Sequence, residues 1–137
     1  MATVQEPAPR AGTRADAVTL VLLLVGAIQV ATGILALAGP GAFYDAIAGY
    51  PPQNDHFVMD LGSWQIALGA ITLYGARRAD WRLPLLGFLA LQYVLHTIPH
   101  ALHAGDSDPE WHGVFGLVAQ ALGALLLAGL FLRERAR

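Results

Sequence analysis

Four apolar stretches, Ala17 to Ala38, Phe57 to Ala76, Leu83 to Leu102 and Gly113 to Leu132, take up most of this 137-residue chain. Each is close to the ~20 residues that an α-helix needs to cross a hydrocarbon core of roughly 30 Å. Nothing constrains the fold more strongly, because a backbone in lipid must satisfy its own N–H and C=O groups, and only helices or closed barrels do so. With 55% hydrophobic and 13% charged residues, the chain is too apolar for an ordinary soluble domain of its size. The expectation is an all-α bundle of four transmembrane helices, forming one domain over residues 17–137 in contact with the lipid bilayer. Residues 1–16 mix Pro, Gly, Thr and charge without periodicity and read as a disordered cytoplasmic tail.

Charge orients the bundle. Arg10 and Arg14 precede the first stretch, Arg77, Arg78 and Arg82 lie between the second and third, and Arg133, Arg135 and Arg137 follow the fourth. The 39–56 and 103–112 loops contain neither Lys nor Arg. Basic residues are retained on the cytoplasmic side, so both termini are expected in the cytoplasm. All five histidines, His56, His96, His100, His103 and His112, fall at the opposite end. The absence of Lys beside abundant Ala, Gly and Arg fits a high-GC bacterium, which makes the bacterial cytoplasmic membrane the expected location. A cleavable secretory signal ending at Ala36-Leu37-Ala38 is the rival for the first stretch, but its apolar run exceeds the usual ~7–15 residues. The chain has no cysteine, which excludes disulfides, iron–sulfur ligation and thiolate nucleophiles.

The connections are punctuated by helix signals. Gly39-Pro40-Gly41 ends the first stretch, and Phe43, Tyr44, Ile47 and Tyr50 then follow at helical spacing before Pro51-Pro52. A short amphipathic helix lying in the interface over the bundle mouth is expected. Asn54 or Asp55 can cap the second helix, Asp80 the third, and Asp108-Pro109-Glu110 the fourth. Trp81 and Trp111 fall at opposite interfaces, as an aromatic belt requires.

A repeat links the helices. Gly26, Gln29 and Gly33 in the first match Gly62, Gln65 and Gly69 in the second, and Gly116, Gln120 and Gly123 form an imperfect third copy in the fourth. Glycines seven residues apart share one helix face and let backbones approach closely, while glutamines bond across helices. These nine residues are read as helix-packing elements.

The third stretch places Gln92, His96, Pro99, His100 and His103 on one stripe, with Pro99 expected to kink the helix. On the second, His56 and Asp60 are i, i+4 neighbours, and Asp60 is expected about one turn inside the span. An unpaired carboxylate there costs roughly 2.5–3.5 kcal/mol, and all eight arginines are assigned to the other end. A histidinium, a bound cation or protonation must compensate it. His56, Asp60, His96 and His100 offer nitrogen and oxygen donors suited to zinc, iron or copper, with Gln92, His103 and His112 as outer supports. The bland alternative is a structural polar cluster or a pH-responsive His/Asp pair. Haem held by two histidines needs matched depths, and His96 lies deeper than His56 or His112. Gln65 and the glycine edge of the second helix lie nearly opposite its His56/Asp60 face, so the helix is either sandwiched between neighbours or forms a homodimer through the glycines.

The Asn54–Gln65 segment, of pattern NxHxxxDxGxxQ, followed by His96 and His100, resembles small four-span membrane proteins of high-GC bacteria without an assigned function. They are distantly similar to the DoxX-like superfamily of four-helix membrane proteins. DoxX relatives are tied to respiratory sulfur oxidation and oxidative-stress complexes, and the resemblance carries over no catalytic residue. The leading expectation is a metal-binding membrane protein, an accessory to oxidoreduction. The alternatives are a non-enzymatic structural or partner-binding subunit and, third, a b-type haem electron carrier. Nucleotide loops, a nucleophile elbow and a nucleic-acid-binding basic patch are absent from the sequence.

Overall fold

The apolar stretches fold as helices whose bounds lie close to those expected. The computed structural model describes residues 16–137, and the described residues form α1 (Ala17–Ala38), α2 (Pro40–Phe43), one turn of π-helix (Tyr44–Ala48), α3 (Asp55–Gly75), α4 (Ala79–Leu102) and α5 (Glu110–Arg135). The expected tail, with Arg10 and Arg14, lies outside the described residues except for Asp16. That residue caps α1 by accepting from the Thr19 N–H at 3.0 Å. Asn54 caps α3 in the same way, accepting from the Phe57 N–H at 3.1 Å. Two expected caps are not used. Arg78 precedes α4 without a side-chain bond, leaving Asp80 in the first turn, and Pro109, not Asp108, precedes α5. Both Asp80 and Glu110 still place negative charge at the positive end of a helix dipole. α4 runs as one helix through Pro84 and Pro99.

α1, α4 and α5 are each long and apolar enough to cross a membrane. α3 is not among them, because Asp55, His56, Asp60, Ser63 and Gln65 dilute its apolar content.

Glycine decides the pairing. α1 packs along α3 and α4 along α5. A Cβ on Gly33 would stand 2.8 Å from the Gly62 carbonyl oxygen, and one on Gly69 would stand 2.7 Å from that of Gly26. The first two copies of the repeat therefore zip α1 and α3 together backbone against backbone, the approach small residues permit in lipid. The third copy works differently, since Gly116 makes room for the His100 ring and Gly123 for the Tyr93 ring. The two-faced second helix is thus settled: its glycine face packs on α1 within one chain.

The two helix pairs meet at the arginine-bearing end, where Leu22, Ala76, Leu85, Leu86, Leu89 and Leu127 form a buried core. Arg82 clasps that end by donating to Asp16 Oδ2 and Thr19 Oγ1, both at 2.7 Å, with Glu134 at 4.0 Å. α3 and α4 touch little beyond their short connecting turn, so the pairs part towards the histidine-bearing end. There the α2/π segment crosses the opening. It ends on Gly49, whose φ of 62° is a left-handed conformation suited to glycine. The Gly49 carbonyl accepts from the Asp108 N–H at 2.7 Å, which ties the segment to the start of α5.

Candidate ligand pocket at the histidine end

Where the helix pairs part, a cavity of about 800 Å³ forms beneath the α2/π segment. Its walls are mainly apolar, with Phe43 and Ile47 from the segment, Val58 and Leu61 from α3, and Trp111 and Phe115 from α5. Polar groups enter at a few points: Gln65 from α3, His96 and His100 from α4, His112 and Gln120 from α5, and Tyr50, His103 and Asp106 from the connections. A largely apolar cavity with a few convergent polar groups is the usual form of a small-molecule site.

Four of the five histidines line this cavity, and His56 does not. His96 and His100, one turn apart on α4, have ring centroids 5.0 Å apart. Gln92 stands behind them, its Nε2 lying 3.3 Å from His96 Nδ1. Tyr50 Oη lies 3.3 Å from His100 Nδ1 with the two rings edge-on. Burial, and then the nearby Asp106 carboxylate, push the Tyr50 phenol above its ordinary range, so it stays a neutral hydroxyl beside the imidazole. His103 Nδ1 and Asp106 Oδ2 pair at 2.7 Å at the rim. His112 is only 8% exposed, and its Nδ1 has no hydrogen-bond partner among the described residues.

His56 and Asp60 form the expected pair, with Nε2 and Oδ2 at 3.6 Å, but their side chains are 88% and 66% exposed on the outside of α3. The helix face explains this: the glycine edge is drawn onto α1, which turns the opposite face away from the bundle. Along the helix axis, Gly62 backs onto Ala36 and Leu37 in the last turn of α1, and Asp60 lies more than one turn after the start of α3 at Asp55. The four-residue set His56, Asp60, His96 and His100 is therefore not gathered. Among the described residues no group of three or more His, Asp or Glu is placed to hold a metal ion.

The glutamines also diverge from simple packing roles. Gln65 Oε1 accepts from the Thr32 hydroxyl, bonding α3 to α1 as expected. Gln29, Gln92 and Gln120 each bury a carbonyl oxygen without a partner among the described residues. Gln65 and Gln120 belong to the cavity wall as much as to the helix contacts. Tyr50, Phe115 and Trp111 were not legible as pocket residues, because their convergence depends on the crossing of the α2/π segment. The aromatic run of that segment was the one available signal.

Compared with known proteins, the chain matches no family model, no curated protein and no solved structure.

Proposed function

We propose that this chain is a four-span integral membrane protein that binds a neutral amphipathic small molecule in the cavity at its histidine end. The observation that carries the proposal is the cavity itself: about 800 Å³ of mainly apolar space with His96, His100, His112 and Gln120 on its wall. Among the described residues no Lys or Arg lines it, and the one carboxylate that does, Asp106, is already paired with His103. An anionic guest would find no permanently charged cation on the wall and would carry a high desolvation cost.

Three helices already suit the bilayer, and α3 crosses with them because it is zipped to α1 by Gly26, Gly33, Gly62 and Gly69. With the arginine end cytoplasmic, the pocket faces outward, in the cytoplasmic membrane of a bacterium. Kinship with the DoxX-like superfamily belongs to the same proposal and rests on the 54–65 segment.

The test is binding of an uncharged lipophilic fluorophore to the protein in nanodiscs. Ala119 lines the cavity on α5. Ala119→Phe fills part of the space and should weaken binding about tenfold or more, with the melting temperature unchanged. Equal binding by this variant and the wild type would refute a pocket-bound guest.

A second use of the site is favoured by the His96/His100 pair, whose spacing on one helical face suits a two-point grip on zinc, copper or iron. The remaining positions on the metal would go to the guest or to water. Elemental analysis of the same preparation, beside His96→Ala, decides it: metal in proportion to protein and lost in the variant is the expected outcome of this use.

A further inference from the structure

Packing on α1 uses only one face of α3. On the opposite face His56, Asp60, Ser63, Ala67, Ala70 and Tyr74 follow one another at intervals of four and three. At 100° per residue all six fall within about 40° of one line, away from the Gly62/Gly69 edge. Every one of them is exposed. The line also misses the cavity, which α3 lines with Phe57, Val58, Leu61 and Gln65 instead.

In lipid this face is poorly suited to stand alone. His56 and Asp60, 88% and 66% exposed, have only each other at 3.6 Å, and ionisable groups in a span are held by partners inside protein. Below them Ser63, Ala67 and Ala70 form a shallow trough, because the Ser63 hydroxyl folds back on the Met59 carbonyl at 3.1 Å. Small residues of this kind let a second helix come close. Phe57, Trp64 and Ile71 make a ridge beside the trough. Tryptophan favours membrane surfaces and the centres of protein interfaces, and Trp64, 72% exposed in mid-helix, is away from the surface.

The charges select the occupant, because the face complements itself. Copies of one chain insert with the same orientation, so a pair made by this face is parallel and two-fold. Under that symmetry residues on the line meet their own equivalents, and Ser63, Ala67 and Ala70 allow the close approach. Asp60 lies about 40° to one side of His56. The two-fold axis therefore carries each Asp60 away from its equivalent and sets it beside the second copy's His56. The acid and the base are then met twice, once in each direction.

We propose that the chain forms a parallel homodimer through the outward face of α3, with the His56/Asp60 pairs crossed between the copies and the Ser63–Ala70 trough at the centre. α3 is then sandwiched between α1 and a second α3. The proposal rests on α3 crossing the membrane and is independent of the pocket and its guest.

The experiment exploits the absence of cysteine from the chain. In membranes from expressing cells, Ser63→Cys, Ala67→Cys and Ala70→Cys should each give disulfide-linked dimers on mild oxidation. The yield should be at least fivefold above that of Val118→Cys, on an exposed position of α5. Two tagged copies expressed together, one His56→Cys and the other Asp60→Cys, should link to each other. In liposomes at rising lipid dilution, energy transfer between labelled copies should show dimerisation weakened about tenfold or more by Ala67→Leu and by His56→Asp. Exchanging the pair, His56→Asp with Asp60→His, should restore it. An unchanged melting temperature in Ala67→Leu, whose site is exposed in the single chain, shows that folding is intact. Seam cysteines that link no better than Val118→Cys, or only to other proteins, overturn the homodimer. So does dimerisation indifferent to Ala67→Leu. The membrane reading is tested apart from this: a membrane-impermeant maleimide that labels Ala67→Cys as fast as Gly105→Cys places α3 outside lipid, and that reading falls with the dimer. Protection of Ala67→Cys without any dimer overturns the dimer alone.

Discussion

Glycine positions in this molecule differ in kind, and the difference is measurable. Gly33, Gly62 and Gly69 sit where a Cβ would press within 2.8 Å of another helix's backbone, which cannot turn aside as a side chain can. Gly129, by contrast, has nothing within 4 Å of where a methyl group would stand. Replacing Gly33 or Gly62 by Ala should cost on the order of 1–3 kcal/mol by forcing α1 and α3 apart. Gly129→Ala should be neutral or stabilise by up to about 0.5–1 kcal/mol, the difference in helix propensity. Thermal unfolding of the detergent-solubilised variants checks the contrast, and equal losses would mean that the close approach is not what holds the pair. The spacing of these glycines made their shared face visible in the sequence. It did not show that the third copy would host the rings of His100 and Tyr93, because the facing residue is supplied by a different helix.

At the scale of elements, the helix pairs are held at their two ends by different chemistry. Asp16 stands at the arginine end, where the Thr19 backbone N–H and then Arg82 hold its carboxyl below the usual carboxylate range, against an opposing effect of burial. A depressed folded-state value means that its contribution is present above the ordinary carboxylate range and is lost as the pH falls through the folded value. Half-exposed as it is, Asp16 contributes little by ion pairing and more as a cap, typically ~1 kcal/mol. Asp16→Asn keeps a capping oxygen but removes the charge. Its melting temperature should therefore match that of the wild type at acid pH and fall slightly below it near neutrality. A constant gap at every pH would show that the charge plays no part. The opposite end relies on uncharged contacts: the Gly49–Asp108 backbone bond and the Tyr50–His100 approach. Each helix and the covering segment could be read from apolar period and turn residues. Which caps are used could not, since Asp80 and Asp108 satisfied the same composition rule as Asp16 and Asn54.

For the whole molecule, segregation of charge fixes an expected orientation that the cysteine-free sequence makes easy to test. Single cysteines introduced as Gly105→Cys and Ala136→Cys lie in the turn between α4 and α5 and just beyond α5. In intact bacterial cells a membrane-impermeant maleimide should label the first and miss the second until the cells are permeabilised. Labelling of both from outside would mean that α5 does not cross the membrane. Tyr74 and Trp81, stacked edge-on beside Arg78 at the arginine end, and Trp111 at the histidine end give the belts that such an orientation needs.

The sequence by itself determined the helices, their lengths, the charged and histidine-bearing ends, and the small-residue faces, because each follows from local spacing and from what lipid permits a backbone to expose. It also brought His96 and His100 together, since one helix carries both. Tertiary structure alone decided that His56 and Asp60 turn outward. One face of α3 had to be surrendered to α1, and backbone contact between glycines claimed the opposite side. The same choice, with a leucine core at one end only, opened the cavity at the other and surrounded it with residues from four separate parts of the chain.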